Sequence, residues 1–209
     1  MAYSQNDEED LIRIFFRKDD QTKLAFLDCG SNDGITLSNT YACAERGWKG
    51  VLVEPSATAF GKMEELYKDN NDVVLCNFAV SDKVGTATFW ESGEHLGKGD
   101  TSLLSSLKKE EMARWTTSGE TFVETTVLTR TFKDVVEYAK RVTDKFDLIS
   151  IDVEGLDFEI LTQIDLNEVK CRMLVIEWNG QNESKFTTYC EKFGFRLLTK
   201  NGINLIYTK

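Results

Sequence analysis

The chain has 209 residues, 41% hydrophobic and 29% charged, which is the balance of a soluble globular protein rather than a fibrous or disordered one. Its formal net charge of −10 disfavours a nucleic-acid partner, because phosphate binding relies on basic surface. No apolar run approaches the roughly 20 residues of a membrane span, and the polar, acidic residues 1–10 do not read as a secretory signal.

The length favours a single domain over residues 1–209. Cys29, Cys43, Cys76, Cys171 and Cys190 are odd in number and form no C-x-x-C pair, so they read as reduced thiols of a cytoplasmic protein. With one histidine, a zinc site is disfavoured. In residues 1–20, Ser4 or Asn6 is placed to cap a helix through about Arg17, burying Leu11, Ile12, Phe15 and Phe16. A buried strand follows, running from Leu24 to Asp28 and into a turn with Gly30 and Gly34; a helix begins near Thr36 and covers 38–46. Residues 50–55 form a second strand, 57–68 a helix and 73–79 a third strand. This β-α-β-α-β order predicts an α/β fold, a mostly parallel sheet with helices on both faces.

Beyond it, 84–130 reads as an insertion or lid. Residues 85–91 alternate as an edge strand, 92–119 are long and polar, and 120–130 return as a strand. Then come a helix at 132–142, a buried strand at 146–152, a helix at 157–166, a strand at 173–178 and a helix at 183–193. Asn201-Gly202 joins 195–199 to 203–207 as a C-terminal antiparallel hairpin.

The glycine turn reads Asp28-x-Gly30-x-x-x-Gly34, not the G-x-G-x-x-G of a dinucleotide site. An acid before the first glycine repels a pyrophosphate and suits a cationic amino group, such as that of S-adenosylmethionine. The turn therefore resembles motif I of class I methyltransferases. Four strands end in acids: Asp28, Glu54, Asp152 and Glu177. Ligands of open parallel sheets bind at the carboxyl ends of the strands, so these acids are expected to converge. Glu54 lies 20 residues past Gly34, the usual offset of an acid that accepts ribose hydroxyls. After the third strand, Asn77 is placed to bond an adenine edge. Phe78 or Val80 can pack the ring, and Phe78 fits the core equally well.

Together, Phe26-Leu27-Asp28-Cys29-Gly30-Ser31-Asn32-Asp33-Gly34, Ser38-Asn39-Thr40-Tyr41, Gly47-Trp48-Lys49-Gly50-Val51-Leu52-Val53-Glu54-Pro55, Asn77-Phe78-Ala79-Val80-Ser81-Asp82, Ile149-Ser150-Ile151-Asp152-Val153-Glu154-Gly155 with Asp157, and Leu174-Val175-Ile176-Glu177 resemble the FkbM family of methyltransferases. The resemblance runs over about 4–178. It implies a Rossmann-like class I fold, S-adenosylmethionine as donor and O-methylation of a sugar, glycan or small natural product. Donor contacts then fall to Asp28, Gly30, Ser31, Asn32, Gly34, Glu54, Pro55, Asn77, Phe78 and Ala79. Residues 128–132 lack an acid that members often carry there, and 92–119 match no family pattern; both departures concern the acceptor side.

A sugar hydroxyl needs a base or a metal to become a nucleophile. Asp152 and Glu154, two apart in extended chain, are expected on one side. They can share a proton, or hold Mg²⁺ with Glu177. His95, the one histidine, is a third candidate base, with a surface position as its plain alternative. Trp90, Trp115 and Trp178 are placed to form a sugar-stacking wall, Trp178 fitting the core equally, and Asn179 is a further acceptor contact. The expected partner is a small-molecule or glycan acceptor, with no nucleic acid and no membrane; a homo-oligomer is compatible. The competing classes are a non-catalytic nucleotide-binding module and a methyltransferase with a protein acceptor. The glycine spacing disfavours a dehydrogenase. A base N-methyltransferase wants [N/D]-P-P-[Y/F], and Pro55 is the only proline.

Overall fold

The computed structural model describes residues 3–97, 99–116 and 119–209. Its first half runs α1 (Glu8–Phe15), β1 (Ala25–Cys29), α2 (Tyr41–Glu45), β2 (Lys49–Val53), α3 (Ala57–Tyr67), β3 (Val73–Cys76), β4 (Ala79–Val80) and β5 (Gly85–Ser92). The second half runs α4 (Lys109–Thr116), β6 (Phe122–Arg130), α5 (Phe132–Ala139), β7 (Leu148–Ile151), α6 (Asp157–Leu161), β8 (Met173–Glu177), α7 (Glu183–Glu191), β9 (Arg196–Lys200) and β10 (Asn204–Thr208).

Seven strands form one sheet in the order β3-β2-β1-β7-β8-β10-β9. The first five are parallel, and β10 lies antiparallel between β8 and β9. Every residue of β1, β7 and β8 is buried, as expected of strands covered on both faces. Alternation sorts their side chains. Leu27, Ile149, Ile151, Leu174 and Ile176 pack with Val135, Ile160 and Phe186 of α5, α6 and α7. Phe26, Leu148, Met173 and Val175 pack with Ile12, Phe16, Trp48 and Met63 on the other face. Asp28 has the parity of Phe26, so it lies on the α1–α3 side. Among the described residues no helix is long and apolar enough to cross a membrane.

Several boundaries differ from expectation for local reasons. The helix expected over 38–46 shrinks to α2. Asp33 captures the amides of Ile35 and Thr36, and Ser38 Oγ those of Thr40 and Tyr41; such side-chain bonds compete with a helical ladder. α1 starts at Glu8, and Ser4 serves its first turn from outside by accepting the Glu9 amide. The third strand breaks after Cys76, and β4 leaves to join a second, three-stranded sheet ordered β4-β6-β5. α4 lies within the connection from β5 to β6. The hairpin turn is closed by the side chain of Asn201, whose Oδ1 accepts the amides of Ile203 and Asn204 at 2.9 and 2.7 Å.

Gly30 marks the tightest junction of strand ends. Its φ is +87°, and a Cβ there would lie 1.7 Å from the carbonyl oxygen of Asp152. Both groups are backbone, so neither can yield. Gly30→Ala is expected to lower Tm by about 10 °C or to abolish soluble expression. Gly202→Ala, whose Cβ would meet nothing within 4 Å, serves as the control that melts like the parent. Circular-dichroism melts of the two variants check this.

Candidate functional site

The carboxyl ends of β1, β2, β7 and β8 open into a cavity of about 190 Å³. Of the residues expected at the donor site, Asp28, Gly30, Ser31, Asn32, Glu54, Pro55, Phe78 and Ala79 line it, and so do Asp152, Glu154, Glu177 and His95. Two expected residues do not. Gly34, at φ +80°, packs against Tyr67 and Met63 of α3, so it serves helix packing. Asn77 is exposed and spends its amide on the carbonyls of Glu54 and Pro55 at 2.9 and 3.2 Å, holding the turn after β2 instead of an adenine edge.

Asp28 is buried and accepts from Thr40 Oγ1 at 2.6 Å. Burial pushes its carboxyl up to about 6, against the opposing pull of the Thr40 and Ser150 hydroxyls. Glu54 is clamped by two backbone amides, those of Asn32 (2.9 Å) and Ser56 (2.7 Å). Burial still pushes it up to about 7.

The segment after β7 departs from the extended chain expected there. Glu154 has φ +53°, so the backbone turns and Asp152 and Glu154 are not neighbours along one strand face. Asp157 takes the place expected for Glu154: Asp152, Asp157 and Glu177 bring carboxylate oxygens within 4.8 Å of one another. Asp157 also organises the turn, accepting the amides of Val153 and Gly155 at 3.0 Å each. Burial, then the charge of Asp28, pushes Asp152 up to about 6; burial, then Asp152, pushes Asp157 to about 7. Burial and Asp152 likewise raise Glu154 and Glu177 well above the carboxylate range. One oxygen of each, Oε2, is buried with no hydrogen-bond partner among the described residues. Asn179 donates to the other oxygen of Glu177 at 2.5 Å.

The β5–β6 connection covers this floor and is tied to it. Asn32 Nδ2 donates to Thr101 O (2.9 Å), Ser106 Oγ to Glu154 O (2.6 Å) and Lys108 Nζ to Gly155 O (2.5 Å). Ser56, Glu91 and Ser102 form a further polar knot beneath it. The expected tryptophan wall does not assemble. Trp115 lines the cavity, Trp90 lies on β5, and Trp178 donates to Asn201 O at 3.0 Å beside the core. Sequence reasoning missed Ser56, Glu91, Ser102 and Glu120, which carry no spacing signal. For Asp157, its place two residues after Gly155 was a usable one.

A family model described as the methyltransferase FkbM domain matches residues 28–198. Among solved structures, monomeric WbdD superposes with a TM-score of 0.52 at 13% identity, over 100% of this chain and 42% of that one. Precorrin-6y C5,15-methyltransferase from Geobacter metallireducens GS-15 gives 0.52 at 12% identity, over 100% and 91%. Precorrin 8W decarboxylase from Methanobacterium thermoautotrophicum gives 0.51 at 12%, over 100% and 92%. At such identities these likenesses show the fold alone, the Rossmann-like fold of class I methyltransferases. The chain spans less than half the length of WbdD. No curated protein matches it in sequence.

The raised carboxyls have a pH signature. An acid whose folded pKa exceeds its unfolded one binds more protons when folded, so its contribution is full below the unfolded pKa and is lost as pH rises through the folded one. For Glu54 that window runs from the ordinary 4.5 to about 7. Glu54→Gln is therefore expected to gain stability relative to the parent as pH rises from about 4 to about 7.5, by several degrees in Tm. Paired melts across that range check it; a constant difference would contradict the assignment.

Proposed function

The chain belongs to the FkbM methyltransferase domain family, and from that premise we propose that it moves the methyl group of S-adenosylmethionine to a hydroxyl of a sugar, glycan or small natural product. The observation that carries this reading is one cavity lined by Asp28, Gly30, Glu54 and Asp152, each from a different strand end or the turn between them.

The residues present fit that donor. Asp28, desolvated and facing the cavity, gains a counter-ion from an ammonium group. Glu54, clamped by Asn32 and Ser56, keeps lone pairs for ribose hydroxyls. Phe78, Ala79 and Val80 offer an apolar wall for a base. When bound, the cofactor supplies a methyl group already activated on a sulfonium. The protein's own work is then to orient an acceptor and exclude water. The lid ties through Asn32, Ser106 and Lys108 suit the second task. Asp152 and Glu154 are assigned to the acceptor's polar end.

The finer part of the proposal concerns Mg²⁺. Asp152, Asp157 and Glu177 are the candidate ligands, and the unpartnered Glu177 Oε2 supports a cation there. A metal so held would acidify a nearby hydroxyl. The five free, buried thiols support a reducing, cytoplasmic setting.

Calorimetric titration tests the donor. S-adenosylmethionine and S-adenosylhomocysteine are expected to bind in the micromolar range and NAD not at all, with Asp28→Asn and Glu54→Gln each weakening binding at least about tenfold. Binding of NAD alone would overturn the reading. Labelled methyl transfer to a panel of monosaccharides and phenols tests the acceptor. Asp152→Asn is expected to lose at least about 100-fold in turnover while keeping donor affinity.

A further inference from the structure

We propose that the lid carries the acceptor-activating group of this reaction: His95 takes the acceptor hydroxyl's proton, Glu120 positions its ring, and Trp115 donates a hydrogen bond to the acceptor. The proposal rests on the methyltransferase reading above and adds to it residues on the connection between β5 and β6.

His95 and Trp115 line the cavity together with Asp152 and Glu154. His95 Nδ1 lies 2.7 Å from Glu120 Oε1. The His95 side chain is 30% exposed and that of Glu120 13%, so the pair sits at the surface with the carboxylate as its more covered member. A carboxylate only accepts, so Nδ1 carries the hydrogen and Nε2 carries the lone pair. A carboxylate that fixes a histidine in this tautomer is the arrangement by which an imidazole is made a positioned base. The backbone of His95 is anchored as well, its amide donating to Asp100 Oδ2 at 2.9 Å. The Trp115 ring stands edge-on to the imidazole, with centroids 5.9 Å apart.

Trp115 supplies an independent observation. Its Nε1 is buried and has no hydrogen-bond partner among the described residues. Buried indole N–H groups nearly always find an acceptor, and Trp115 is one of the residues that line the cavity. An oxygen of a bound acceptor would complete it. Trp115 does not belong to the hydrophobic clusters that cover the sheet; it packs against His95 and under the Arg114 guanidinium. On the cavity floor Asp157 already accepts the amides of Val153 and Gly155, and Glu177 Oε1 accepts from Asn179. The charged groups set about His95 are Glu120 and Asp100, with Arg114 beside Trp115.

The step balances. The acceptor's O–H bond breaks and its proton passes to His95 Nε2. The oxygen's electron pair forms the new O–CH₃ bond while the C–S bond of the sulfonium breaks, its pair remaining on sulfur. The positive charge lost from sulfur reappears on the imidazolium, against the Glu120 carboxylate.

Because His95 is the only histidine, ¹⁵N-histidine NMR of the full chain reads it without assignment. The parent is expected to show the Nδ1–H tautomer when neutral, and Glu120→Gln to shift it toward Nε2–H. With the best acceptor from the sugar and phenol panel, His95→Gln is expected to lower kcat about 100-fold or more and Glu120→Gln about tenfold, each keeping the S-adenosylhomocysteine Kd within about twofold. Trp115→Phe should raise the acceptor KM more than it lowers kcat. Added imidazole should restore part of the His95→Gly rate, which a merely structural role would not give. An Nε2–H tautomer in the parent, or full turnover in His95→Gln with S-adenosylhomocysteine still bound, overturns the proposal. Failure of the parent to bind S-adenosylhomocysteine counts instead against the methyltransferase reading, and the tautomer still decides the His95–Glu120 pair.

Discussion

Two backbone hydrogen bonds tie together the strand ends on which the site depends. Gly30 N donates to Val53 O, and Asp152 N to Cys29 O, both at 2.9 Å. They draw the ends of β1, β2 and β7 so close that the Asp152 carbonyl occupies the space of a Gly30 side chain. Three of the site's carboxylates, Asp28, Glu54 and Asp152, sit within one residue of those bonds. The sheet cannot form in this register without bringing them to one edge.

That convergence of carboxylates is electrostatically unfavourable. The acids lie where water is scarce, with the charge of Arg114 acting on Glu154 from the lid. The protein answers with protons and with hydrogen-bond donors: Thr40 on Asp28, two amides on Glu54 and two on Asp157. Glu154 and Glu177 each keep one oxygen without a donor. A site arranged in this way gains most from a ligand that brings positive charge or hydroxyl hydrogens, as the proposed donor and acceptor would.

The lid is joined to this floor at the motif loops themselves. Asn32 reaches it from the glycine turn, and the carbonyls of Glu154 and Gly155 receive Ser106 and Lys108. A ligand that shifts either loop therefore acts on the lid directly. His95, held by Glu120, and Trp115 line the same cavity from the lid side.

By itself the sequence determined the framework: which runs are buried strands, that an acid ends each of four of them, that a glycine turn follows the first, and that Asn201-Gly202 closes a hairpin. These are local or periodic signals, set by side-chain alternation and by the backbone freedom of glycine. Where nearby side chains competed with a helix, as Asp33 and Ser38 do before α2, the periodic pattern alone misplaced the boundary. Only the tertiary structure decided which polar residues meet. It set Gly34 against α3, turned Asn77 outward, replaced Glu154 by Asp157 in the carboxylate cluster, and brought Glu120 to His95 across 25 residues. Such meetings depend on strand order, on one left-handed residue at Glu154 and on the path of a long connection. None of these leaves a periodic trace in the chain.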